Sequence, residues 1–135
     1  MVIDSSAVLA VLLGENDGQH YSQIIESAEN AKMSTVSLLE VTLVIGARKR
    51  ENGITLLNHF LLKSGIEIIA FDFQQLLIAK DAWWQFGKGR HPAAHNLGDC
   101  CSYALAKSLG RPLLYKGGDF PQTDINGVDL PERFH

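Results

Sequence analysis

Four carboxylates in this chain stand where a protein can hold a divalent cation. Asp4 follows the short β-branched run "MVI", and Glu40 lies early in the apolar segment after "MSTV". Asp99 opens the segment "DCCSYALAKSLG", and Asp119 follows the run "RPLLYK" across Gly117 and Gly118. Clustered carboxylates repel one another and lose hydration, so four together need a cation to be tolerated. Oxygen donors with no thiolate or paired imidazole among them favour a hard ion, Mg2+ or Mn2+. Such an ion lowers the pKa of a bound water and neutralises charge building on a phosphoryl group, and a second ion assists the leaving oxygen. The chemistry implied is metal-assisted phosphodiester hydrolysis.

Taken singly, each acid also has a plainer role. Asp4 suits the N-cap of the helix that follows it. Glu40 stands three residues after Ser37, the spacing of a capping box, and for this residue capping is the stronger reading. Asp99 suits a helix first turn, where the dipole favours a negative charge, and Asp119 suits a turn after two glycines. The joint pattern favours function, because four independent caps have no reason to share one end of a sheet.

The elements that must position these acids alternate. "MVID" reads as a buried strand and "SSAVLAVLLGE" as a helix; residues 19–31 have helical spacing, with Tyr21, Ile24, Ile25 and Ala28 on one face, and "KMSTV" is extended again. "SLLEVTLVIGARKR" predicts a helix up to the region of Gly53, "ITLLNHFLLKSG" another ended by Gly65, and "IEIIAFD" the clearest strand. "FQQLLIAKDAWWQFGKG" predicts a helix that runs out in Gly87 and Gly89, "DCCSYALAKSLG" one that stops at Gly110, and "RPLLYK" a third clear strand. Alternating strands and helices predict an α/β fold, a parallel sheet with helices on its faces. In such a sheet ligands bind beyond the carboxyl ends of the strands, where these acids fall.

The 135 residues suit a single domain spanning 1–135, with 46% hydrophobic and 20% charged residues. No apolar run is long enough to cross a bilayer and the start lacks the marks of a secretory leader, so a cytoplasmic protein with no membrane role is expected. Cys100 and Cys101 are neighbours, which disfavours a disulfide, and they are expected to be reduced and packed in a helix. The formal charge of −3 argues against tight, sequence-independent binding of nucleic acid, yet setting four of the 15 acids aside on a cation leaves 11 against 12 basic residues. The loop "GKGRHPAAHN" carries Lys88, Arg90 and His91, which suit phosphate contacts, with plain solvated surface an equal reading for Lys88 and Arg90. Core packing is expected for Trp83 and Trp84 ahead of stacking on a base. The remaining histidines, His20, His59, His95 and His135, receive no role.

The segments "MVIDSSAVLAVLLGE", "STVSLLEV" and "HPAAHNLGDCCSYALAKSLGRPLLYKGGDFPQTDI", in that order, resemble the PIN-domain family, and closely its VapC-type toxins of bacterial toxin–antitoxin pairs. The resemblance covers almost the whole chain, and the last segment is its most specific part. It implies a three-layer α/β/α fold around a central parallel sheet of about four to five strands. It further implies a Mg2+- or Mn2+-dependent endoribonuclease toxin of a type II pair, cutting RNA with a metal-activated water and inhibited by a cognate VapB-type antitoxin. Matched motif by motif, Asp4 and Asp99 become the main metal ligands. Glu40 becomes a ligand or water-orienting acid, and Asp119 acts through a second ion or an outer water. Ser5 and Asn96 become supporting donors beside the acids, and Asp124 matches the "TD" after the fourth acid. Family members commonly form homodimers and toxin–antitoxin hetero-oligomers, the antitoxin's C-terminal segment entering the acidic groove. The chain departs from the family at Gly118, where Asn or Asp is frequent, and at His95, where an apolar residue is usual.

Two other readings compete. A receiver-type phosphoacceptor would use Lys116 as phosphate partner, although the paired acids that such a site needs after the first strand are missing. A non-catalytic binding subunit would use the acidic groove only to hold a basic partner segment.

Overall fold

The computed structural model describes residues 1–87, 96–117, 120 and 123–128. Among these residues nine elements follow one another: β1 (Val2–Ile3), α1 (Ser5–Leu12), α2 (Gly18–Ser27), β2 (Lys32–Ser34), α3 (Thr35–Ser64), β3 (Glu67–Ile69), α4 (Phe73–Phe86), α5 (Leu97–Leu109) and β4 (Leu113–Leu114). The strands form one parallel sheet in the order β3-β2-β1-β4, registered by Val2 against Lys32 and Leu113 and by Met33 against Ile68. A single parallel bridge from Leu113 to Gly127 extends it beyond β4. The expected parallel α/β sheet is therefore present.

Successive strand residues point to opposite faces, and that alternation builds two cores. Ile3, Met33 and Leu114 pack with Val8, Ile25, Val41, Ile45 and Leu57 from α1, α2 and α3. Val2 and Leu113 pack with Ala79, Ala82, Tyr103, Leu105 and Phe120 on the side of α4 and α5. The outcome is three layers, with the sheet inside.

Several elements differ from their sequence expectation for local physical reasons. The segment expected to be the clearest strand supplies only Glu67–Ile69, at the outer edge of the sheet, because Asp72 takes the chain into α4 by accepting the Gln75 N–H at 2.9 Å. The helix expected over 19–31 ends at Ser27, ahead of Asn30, whose φ of 58° is left-handed. The break expected near Gly53 falls at Arg50, with φ 53° and ψ −138°. Gly53 is instead where the second arm closes on the first: a Cβ there would lie 2.7 Å from the Ile45 carbonyl oxygen and 2.9 Å from Lys49 Cβ.

Trp83 and Trp84 are not core residues, being 40% and 57% exposed with their rings edge to face at 5.3 Å. The buried stripe of α4 is Gln75, Ala79 and Ala82, which leaves both indoles beside it. Cys100 and Cys101 are buried and reduced, as expected.

Candidate metal centre at the carboxyl edge of the sheet

Three helices present their N-termini to one edge. α1 starts directly after β1, α3 directly after β2, and α5 runs back toward β4, so its first turn lies at the carboxyl ends of the strands. The partial positive charge of each helix start stabilises carboxylates in their ionised form.

Asp4 caps α1 and is 3% exposed. Its Oδ2 accepts the Ser6 N–H at 3.1 Å and the Ser6 hydroxyl at 2.6 Å, and its Oδ1 accepts the Ser102 hydroxyl at 2.5 Å. Ser102 Oγ also lies 3.0 Å from Ser37 Oγ. A hydroxyl has one proton, and that of Ser102 is committed to Asp4, so Ser37 is the donor in the second bond. A chain of two buried hydroxyls thus runs from α3 through α5 to the end of β1.

Glu40 accepts the Ser5 hydroxyl at 2.5 Å. Its carboxylate rests on Gly98: a Cβ there would stand 2.6 and 2.9 Å from its two oxygens. The capping box expected from Ser37 does not form, because α3 begins earlier, with Ser34 accepting the Val36 N–H. That leaves Glu40 about one and a half turns inside the helix, facing Ser5 and Gly98.

Asp99 is 7% exposed and forms a capping box with Asn96. Asn96 N–H donates to Asp99 Oδ2 at 3.0 Å, and Asn96 Oδ1 accepts the Asp99 N–H at 2.9 Å. The capping box with Asn96 thus constrains the Asp99 rotamer.

These contacts set Asp4, Glu40 and Asp99 along one edge of the sheet: Ser102, three residues beyond Asp99, bonds Asp4, and Gly98, next to Asp99, lies against Glu40. Asp119, Lys88 and Arg90 lie outside the described residues, as do His91, His95 and Gly118. Among the described residues no three acidic, imidazole or thiol side chains already stand as a metal cage. The donor set nevertheless fits a hard divalent ion. Among the described residues Asp4 and Glu40 are met by hydroxyls and one amide, and no cationic side chain there pairs with either.

Other charged groups near the centre are engaged. Lys116, the phosphate partner required by the receiver-type reading, is clasped by Glu15 and by Asp17 at 2.9 Å, while its N–H donates to Ser6 Oγ at 2.9 Å. The bond to Glu15 holds its pKa above the usual lysine value against the opposing effect of burial. Asp124 joins the C-terminal segment to α5, accepting from Tyr103 O–H and from Lys107 at 2.8 Å. Burial would raise its carboxyl pKa, but the two donors outweigh burial and lower it. Burial, with the field of Cys101 and Asp99, pushes the Cys100 thiol up to about 11. Burial, with the field of Glu40, does the same for Cys101. Both thiols stay protonated near neutral pH.

Sequence reasoning named Ser5 and Asn96, read Ser37 only as a cap for α3, and missed Ser6, Ser102 and Gly98. The signal for Ser102 was its i+3 spacing from Asp99 on one helical face. A groove of about 350 Å3 opens beside the acids between α3 and α5, lined by Leu39, Glu40, Leu43, Val44, Leu97 and Gly98 among others.

The PIN domain family model matches residues 1–126. The chain is 45% identical over 131 residues to VapC ribonuclease Mb0640 of Mycobacterium bovis, covering 97% of this chain and 100% of that protein. Among solved structures, Mycobacterium tuberculosis VapC20, described as a toxin cleaving the sarcin-ricin loop, superposes with a TM-score of 0.74 at 16% identity, over 94% of this chain and 97% of that one. VapBC2 of Rickettsia felis, bound to a DNA fragment from the promoter of the pair, gives 0.73 at 14% identity, over 95% and 96%. At those identities the superpositions speak for the fold, which is the three-layer PIN arrangement. Sequence and fold agree, and the chain belongs to the PIN-domain family, among its VapC-type ribonucleases.

Proposed function

We propose that the chain is a Mg2+- or Mn2+-dependent endoribonuclease, the toxin of a type II toxin–antitoxin pair, held in check by a cognate VapB-type antitoxin. The observation that supports this is the placing of Asp4, Glu40 and Asp99 along the carboxyl edge of the sheet, with no cationic side chain among the described residues bonded to Asp4 or Glu40. Relatives named ribonucleases, and a structural neighbour described as cleaving the sarcin-ricin loop, support RNA as the substrate.

Asp4 and Asp99 would hold the ion, with Asp119 as a further acid of the set, and Glu40 would orient a water for attack. When bound, the ion supplies an activated water and neutralises charge on the phosphoryl group. Ser102 and Ser6 fix the Asp4 rotamer, Ser5 fixes Glu40, and Asn96 fixes Asp99; holding donors in place in this way sustains metal affinity. Asp124 keeps the segment after Asp119 on α5, and Lys88 and Arg90 meet backbone phosphates. The groove between α3 and α5 receives the antitoxin's basic segment, its cation toward Glu40 and its apolar side chains toward Leu39, Leu43 and Leu97. A homodimer and a toxin–antitoxin hetero-oligomer in the cytoplasm go with this reading, as they do in the family; the Rickettsia neighbour is itself a toxin–antitoxin complex.

The test is Mn2+ titration calorimetry together with cleavage of total RNA by the parent chain, Asp4→Asn and Asp99→Asn, with melting curves as the folding control. Loss of Mn2+ binding and of cleavage in folded variants is expected, as is silencing of the parent by EDTA. Full cleavage by either variant overturns the assignment. Tight antitoxin binding by a parent chain that binds no Mn2+ makes it the non-catalytic binding subunit instead.

A further inference from the structure

Away from the acidic centre, the bend of α3 gathers three consecutive cations, Arg48, Lys49 and Arg50, all exposed. Among the described residues none of the three enters an ion pair; the ion pairs present use Lys32, Lys63, Lys107 and Lys116. On a chain of net charge −3 this is a local feature and not a general basicity. The bend encloses an open cleft of about 790 Å3, to which Lys49, Arg50, Asn52 and Thr55 contribute donors and Glu51 a single acid.

Arg50 carries the second observation. Its φ of 53° with ψ of −138° is a conformation that glycine adopts readily and residues with a Cβ rarely do. Gly53 closes the two arms against each other, so the bend places Arg50 at the outer corner whatever its side chain. An arginine at a glycine-like position adds charge where backbone economy would omit the side chain.

The elbow also lies in line with the acidic centre. Glu40, Val44 and Arg48 stand at i, i+4 and i+8 on α3, one face of the helix, with Arg48 roughly 12 Å beyond Glu40 along its axis. We propose that this elbow is a second contact for the RNA, an electrostatic surface that holds backbone phosphates a few nucleotides from the bond being cut. Arginine and lysine side chains on phosphates supply affinity without reading sequence. The inference rests on the ribonuclease reading above.

Binding of a fluorescein-labelled single-stranded RNA is followed by anisotropy in EDTA, which suppresses cleavage, across a series of salt concentrations. Removing one cation that neutralises a phosphate lowers the slope of log affinity against log salt by about 0.7 for a single strand. The triple variant Arg48→Gln, Lys49→Gln, Arg50→Gln is expected to lower that slope by about 2 and to bind at least tenfold more weakly at low salt. Arg50→Gly is expected to melt at a higher temperature and still lower the slope by about 0.7, a pairing that a purely structural arginine would not give. A triple variant with the parent's slope overturns the elbow assignment, and if the parent also cuts RNA the ribonuclease reading survives alone. A triple variant that binds RNA as the parent does but no longer binds its antitoxin makes the elbow a protein-docking surface, which overturns the proposal too. A parent chain that neither binds nor cuts RNA overturns both readings.

Discussion

Replacing Gly98 by alanine tests the geometry of the acidic centre with one methyl group. The added Cβ would lie 2.6 Å from Glu40 Oε1, 2.9 Å from Oε2 and 3.0 Å from Cδ, whereas ordinary Cβ contacts begin near 3.4 Å. The carboxylate must therefore retreat by about 0.8 Å at Oε1, since backbone cannot move as cheaply as the end of a glutamate side chain. Retreat stretches the 2.5 Å bond from Ser5, a hydrogen bond to a charged group of the kind that contributes about 1.5–3 kcal/mol. Alanine returns up to about 1 kcal/mol of helix propensity. Net destabilisation is then about 0.5–3 kcal/mol, a fall of several degrees in melting temperature. The effect on rate is larger, because a displacement approaching 1 Å in a positioned group costs on the order of a hundredfold. Cleavage rates at saturating Mn2+, set beside thermal melts, read the two effects separately. A Gly98→Ala chain with the parent's cleavage rate would show that Glu40 does not need its place against α5, and the role given to it would fall.

Ser102→Ala removes the donor to buried Asp4 and strands the Ser37 hydroxyl, so a loss of about 1–3 kcal/mol in denaturant unfolding is expected. Mn2+ affinity should fall with it in calorimetry, and unchanged affinity would reduce Ser102 to a packing residue. The clasp of Lys116 gives a pH signature. The lysine pKa is raised above its ordinary 10.5, so the clasp's contribution is fully present below that value and is lost as pH rises through the raised one. Denaturant midpoints of the parent and Lys116→Met should differ near neutrality and converge well above pH 10.5; a constant gap would locate the contribution in the lysine stem instead of its charge.

The sequence by itself determined the layering and the acids. Strand and helix periodicities are local, so "MVI", "KMSTV" and the helices after them were legible, as was the consequence that Asp4 and Asp99 share one edge of a parallel sheet. The extent of elements was less legible, because neighbours set it: "IEIIAFD" kept only Glu67–Ile69 as strand, at the sheet's edge, and the tryptophans of α4 fell beside its buried stripe. What only the tertiary structure decided was who holds the acids. Ser37 and Ser102 are 65 residues apart, Ser102 and Asp4 are 98 apart, and Gly98 meets Glu40 across two helices. Hydroxyl bonds and a missing Cβ act over a few ångströms between segments whose separation along the chain carries no trace of their meeting. For the same reason Glu40 read first as a cap: its spacing from Ser37 is local, while the capping of α3 by Ser34 depends on where β2 leaves the sheet.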